Sequence, residues 1–145
     1  MPSKLKLIKD VADLFASQST CSQRAAVGAV LFDDEYRIVA TGYNGAPQGF
    51  PHCNDVGCVT DDGGHCIAAV HAEMNAIMQC AVYGVRTRGL NLYTTHTPCE
   101  RCAIMIVRAG IKSVVFTQVY GRVARMRNTF MKAGIPYSQF GDFNA

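Results

Sequence analysis

Two short stretches, His71-Ala72-Glu73 and Pro98-Cys99-Glu100-Arg101-Cys102, constrain this chain more than anything else in it. Their side chains make chemical sense only together. One imidazole and two thiols are three ligands of the kind that a tetrahedral zinc ion takes. A fourth corner left open holds water, and zinc lowers the pKa of such a water to about 7. Glu73 is then spare as a ligand and suited to carrying protons. The fold must therefore bring the two stretches side by side. The competing reading is a pair of reduced core thiols and a satisfied core histidine. It fits any one residue well, but not all four with Pro98 in place.

Local geometry points the same way. Thr97-Pro98-Cys99-Glu100 reads as a helix start, with Thr97 as N-cap, Pro98 at the first helical position and Glu100 completing a capping box. Cys99 and Cys102 are three apart and share a helical face. They sit in a first turn, where the helix dipole favours thiolate. His71 and Glu73 would splay apart in mid-helix, but at the opening of a helix both can face the partner turn.

The 145 residues predict one domain, long enough to bury a core. Leu5, Ile8, Val11, Ala12 and Phe15 recur at helical spacing. Apolar runs over 26–32 and 37–41 flank the turn residues Asp33-Asp34-Glu35 and predict a β-hairpin. A glycine-rich loop follows over 42–64, of a length that is usually functional. Then come a helix over 68–83, a strand over 91–95, a helix over 98–109, a strand over 113–117, a helix over 123–133 and a last strand over 135–137. This order predicts an α/β fold with a mixed five-stranded sheet and helices on both faces. The strands are parallel in the second half, with the hairpin as an antiparallel edge.

The net charge of +3 is too weak to imply nucleic-acid binding. No run of 18 apolar residues exists, so no membrane span is expected. The N-terminus lacks the apolar core of a signal peptide. Seven cysteines in such a chain imply a reducing, cytoplasmic setting, in which clustered cysteines are metal ligands rather than disulfides.

His71-x-Glu73 with Pro98-Cys99-x-x-Cys102 fits the zinc deaminase pattern and resembles the cytidine deaminase superfamily. Gly42-Tyr43-Asn44-Gly45, His71-Ala72-Glu73-Met74-Asn75-Ala76 and Tyr93-Thr94-Thr95 narrow the resemblance to the deoxycytidylate (dCMP) deaminase family, over about 27–134. The resemblance implies a three-layer α/β/α cytidine-deaminase-like fold. It implies zinc held by His71, Cys99 and Cys102, with Glu73 as the catalytic proton carrier in the conversion of dCMP to dUMP and ammonia. It gives Asn44, Asn75, Ala72 and Tyr120 to the substrate. It also implies activation by dCTP with Mg2+ and inhibition by dTTP, at a separate site that includes Gly42, Tyr43, Asn44 and Gly45. A homo-oligomer, a hexamer in most members, goes with it.

Some members carry a second, structural zinc. Cys21, Cys53, Cys58, His65 and Cys66 crowd the chain before His71 and are the candidates here; buried free thiols are the alternative. Arg24, Arg122 and Arg125 are candidates for a phosphate, against solvated surface charges. His96 is placed beside the second motif, and Cys80 in the core. The zinc motifs alone also fit deaminases of guanine, of tRNA adenosine and of riboflavin precursors, or one that takes dCTP as well. A tRNA substrate wants a stronger basic face, and a riboflavin-type enzyme a reductase domain beyond this length. From a different class, a non-catalytic zinc module would need Glu73 as its fourth ligand.

Overall fold

A computed structural model of the chain describes residues 3–142. Helix α1 (Lys4–Ala16) precedes the hairpin of β1 (Gly28–Phe32) and β2 (Ile38–Tyr43). A short α2 (Cys53–Val56) interrupts the long loop. Then α3 (Ala72–Tyr83), β3 (Asn91–His96), α4 (Glu100–Arg108), β4 (Ser113–Gln118), α5 (Ala124–Ala133) and β5 (Tyr137–Gln139) alternate.

The five strands form one sheet in the order β2-β1-β3-β4-β5. β1 runs antiparallel to both β2 and β3, while β3, β4 and β5 are mutually parallel. This is the expected mixed sheet with its antiparallel edge. Side chains alternate across it. Val30, Phe32 and Tyr93 pack on Ile8 and Ala12 of α1. Ala29, Leu31, Leu92 and Val114 face the other way, into a larger core built from α3, α4 and α5. Cys80 belongs to that core, as expected. Helices thus cover both faces, giving three layers.

Two close approaches fix the helices that matter. A Cβ on Gly28 would stand 1.9 Å from the Ala12 carbonyl oxygen, so α1 rests directly on β1. A Cβ on Gly42 would stand 2.3 Å from the Ala72 carbonyl oxygen and 2.6 Å from the Ala76 nitrogen. The first turn of α3 therefore lies against the backbone of β2, which only glycine permits.

Element boundaries differ from the expected ones for identifiable reasons. β1 begins at Gly28 rather than at 26, and β2 runs on to Tyr43, so Gly42 and Tyr43 are strand rather than loop. α3 begins at Ala72 rather than at 68, because His71 is its extended N-cap. β5 lies two residues later than expected. Ile135 instead closes the end of α5, its N–H donating to the Phe130 carbonyl at 2.9 Å, and Pro136 has no N–H to give a strand.

Candidate active site and metal centres

His71, at the N-cap of α3, and Cys99, at the N-cap of α4, face each other across the ends of the two helices. His71 Nδ1 lies 3.5 Å from Cys99 Sγ and 3.3 Å from Cys102 Sγ. Zinc bound at ordinary lengths in a tetrahedron separates nitrogen and sulfur ligands by about 3.5 Å, so this donor set fits the ion. Cys99 itself caps α4, its sulfur accepting the Cys102 N–H at 3.4 Å. That corrects the expected capping box. Pro98 precedes the cap. Thr97 turns its hydroxyl to the backbone of Tyr120, at 2.9 Å from both the carbonyl oxygen and the nitrogen. Glu100 faces Arg125 at 3.5 Å.

The electrostatics suit a cation. A hydrogen bond from Cys102, joined by His71, pulls the Cys99 thiol far below its ordinary range. The same Cys99 contact, with burial behind it, pushes Cys102 up. Hydrogen bonding to Cys99 raises His71. A bound divalent ion would take both sulfurs as thiolates.

Glu73 stands in the first turn of α3, only 4% exposed. Burial lifts its carboxyl above the usual carboxylate range. Its Oε1 is 2.9 Å from the Thr94 hydroxyl. Glu73 is not part of the donor cluster, which stops at His71, Cys99 and Cys102. The role of Thr94 is not visible in the sequence. Its only signal there is its place in Tyr93-Thr94-Thr95, one of the stretches that carry the family resemblance.

The other expected site residues are spread around this centre. The Asn44 amide is committed to backbone: Oδ1 accepts the Val27 N–H at 2.8 Å, and Nδ2 donates to the Cys21 and Ala25 carbonyls at 2.7 and 2.9 Å. Asn75 Nδ2 donates to the Tyr43 carbonyl at 2.7 Å. Ala72 is fully buried at the start of α3. Tyr120, 45% exposed, meets the His96 ring edge-on with centroids 5.5 Å apart. Arg125 pairs with Glu100, and Arg24 lies beside Gly64.

A second cluster joins Cys21, Cys53, Cys58 and Cys66, whose sulfurs all lie within 4.8 Å of one another. Cys21 and Cys58 are 3.5 Å apart, Cys53 and Cys66 3.6 Å. Four thiols close a tetrahedron with protein ligands alone, the arrangement of a structural zinc site. His65, among the expected candidates, is outside it. Its side chain is 71% exposed and lies 3.3 Å from Asp61, to which its own N–H also turns. Burial pushes Cys21 up. It opposes Cys66 too, yet the backbone N–H groups of Ala68 and Ala69 and the Cys53 thiol bring that thiol down to about 7.

A metal donor set that stops at three, with a buried acid next to it, is that of an open zinc site on an α/β scaffold rather than a closed zinc knuckle. Comparison with known proteins gives that class its family. The chain belongs to the family described as the cytidine and deoxycytidylate deaminase zinc-binding region, whose model matches residues 2–118. It is 44% identical over 126 residues to ComE operon protein 2 of Bacillus subtilis, covering 87% of this chain and 65% of that one. It is 35% identical over 144 residues to the deoxycytidylate deaminase of Saccharomyces cerevisiae, covering 96% of this chain and 45% of that one. The dCMP deaminase of the cyanophage S-TIM5, solved in complex with dCMP and dUMP, superposes with a TM-score of 0.81 at 32% identity. That match covers 97% of this chain and 99% of the phage chain. The fold expected from the sequence is thus the fold of this family.

Proposed function

We propose that the chain deaminates dCMP hydrolytically to dUMP and ammonia. The observation that carries this is Glu73, buried beside three metal donors yet outside their cluster. Likeness to an S-TIM5 enzyme bound to dCMP and dUMP supplies the substrate. His71, Cys99 and Cys102 would hold zinc, which supplies Lewis acidity and lowers the pKa of a coordinated water to about 7. Glu73 takes one proton from the attacking water and gives it to ring N3 as the C4–O bond forms. It then takes the second proton from the C4 hydroxyl of the adduct and gives it to the amine as C4=O forms and the C4–N bond breaks, releasing ammonia. Burial favours this, because lifting a carboxyl above its ordinary range makes it a better proton acceptor than a free carboxylate. Ala72 and Asn75 line the start of α3, and the Tyr120 ring offers an apolar face to a planar base. Asn44 reaches the substrate only with the capacity that its backbone bonds leave. Arg24 and Arg122 are candidates for the phosphate.

An ammonia-release assay on dCMP, CMP, dCTP, deoxycytidine, guanine and tRNA tests the reading. We expect the highest kcat/KM on dCMP. A clear preference for guanine or tRNA would replace the substrate and keep the chemistry; silence on the whole panel would overturn the enzyme.

Regulation by dCTP with Mg2+ and by dTTP belongs to the same reading, and rests on the resemblance of Gly42-Tyr43-Asn44-Gly45. Here Gly42 already has a packing role against α3, and Gly45 pairs with Val70. A homo-oligomer is supported by exposed apolar side chains on α3 and α4, with Val82 and Tyr83 each 76% exposed and Ile104 59%. No helix among the described residues is long and apolar enough to cross a membrane.

The Cys21, Cys53, Cys58 and Cys66 cluster is proposed as the second zinc site. A metal there would tie the segment before β1 to the glycine-rich loop, which otherwise orders at considerable entropic cost. Cys53→Ser should therefore remove one metal ion per chain and lower Tm by several degrees or more. Unchanged metal content would show that the thiols are merely buried neighbours.

A further inference from the structure

We propose that Thr94 is a positioning residue for deamination, its hydroxyl holding the Glu73 carboxyl in the orientation that proton transfer requires. The proposal rests on the deaminase reading above.

Thr94 is fully buried in the middle of the sheet. β3 pairs it with Ala29 of β1, and it faces the same layer as Leu92. Small neighbours on that side, Ala29, Ala72 and Ala76, leave room for the Glu73 side chain. Two acceptors flank the hydroxyl. Oγ1 is 2.9 Å from Glu73 Oε1 and 2.9 Å from the His96 carbonyl oxygen. It has one hydrogen to give, so it serves one acceptor at a time.

This pairing suits a carboxyl that changes form during a cycle. Towards a carboxylate, Thr94 donates. Towards a carboxylic acid, it accepts the acid proton and turns its own hydrogen to the His96 carbonyl. The hydroxyl can thus keep a hydrogen bond to Glu73 in both states. Threonine is branched at Cβ and stiff at χ1, which fixes the oxygen in place.

Glu73 needs such a partner. Its side chain has three rotatable bonds and stands in a layer of alanines. Among the described residues, the side-chain hydrogen bond to its carboxylate oxygens comes from the Thr94 hydroxyl. Thr94 is thus the side chain that sets the carboxyl. Valine has the shape of threonine and lacks the hydroxyl, so it separates packing from positioning.

The test uses the full chain with its metal, comparing wild type, Thr94→Val and Thr94→Ser for kcat and KM on dCMP, metal content and Tm. Thr94→Val should lower kcat by about 10- to 100-fold, the scale of a roughly 1 Å misplacement at a reacting centre. KM and metal content should stay close to wild type. Thr94→Ser, which keeps the hydroxyl and drops a methyl, should recover most of kcat. Wild-type kcat in Thr94→Val overturns the proposal. Equal loss in both variants with metal content down also overturns it, because the residue would then be structural. A wild-type protein silent on the whole substrate panel is a different failure: it overturns the deaminase reading, and this inference with it.

Discussion

Glu73→Gln is expected to lower kcat on dCMP by at least the 10²–10⁴-fold typical of general acid–base catalysis, with metal content unchanged. Glutamine keeps the shape of the side chain and an oxygen able to accept from Thr94, so the buried site stays packed. It cannot take or return a proton. One residue makes several transfers here, so the loss should exceed that of a single-step acid or base. Metal retention follows from geometry: the donor atoms are on His71, Cys99 and Cys102, and Glu73 is outside that cluster. Ammonia release and metal analysis on the same preparation check both halves. Substantial turnover in Glu73→Gln would move the proton carrier to another residue. Loss of the metal would make Glu73 a ligand, and would revive the reading of a closed, non-catalytic zinc module.

Much of this site was legible before any coordinates, because its chemistry is written in local spacing. Cys99 and Cys102, three apart at a helix start, converge whatever the tertiary fold. His71 and Glu73 diverge less at a helix opening than within one, and they do stand at the opening of α3, although the helix expected from 68 begins only at Ala72. The mixed sheet followed from the order of elements. What escaped depends on contacts between distant segments. The partner of Glu73 is set by the register of β3 under α3, and nothing in Tyr93-Thr94-Thr95 reports that. Crowding put five candidates in the second cluster. Only the course of the loop separates the four sulfurs that converge from His65, which turns to Asp61. The family resemblance gives Asn44 to the substrate. Its amide proves to be the clasp that holds the Cys21 segment to the start of β1. The helix start at α4 shows a substitution within a correct element: a thiol, not the Thr97 hydroxyl, caps the turn, so the atom that caps the helix is also one of the candidate metal donors.

The two metal sites differ in access, and metal removal exploits that difference. His71 is solvent-exposed, whereas Cys21 and Cys53 are buried. Three protein ligands also hold an ion less completely than four thiolates. Mild chelation should therefore empty the His71, Cys99 and Cys102 site first. Deamination should fall by several orders of magnitude while the protein stays folded, since the water's pKa returns from about 7 towards 15.7. Harsher chelation should then take the second ion and lower Tm, because its binding energy is folding energy. Zinc added back after the mild step should restore activity.

The most direct measurement is ammonia release from dCMP by mildly chelated protein, with metal content and Tm followed before and after zinc is returned. Activity should disappear with the first ion, while the protein stays folded, and come back in proportion to zinc rebound. Full turnover by protein shown to be metal-free would contradict the account at its root.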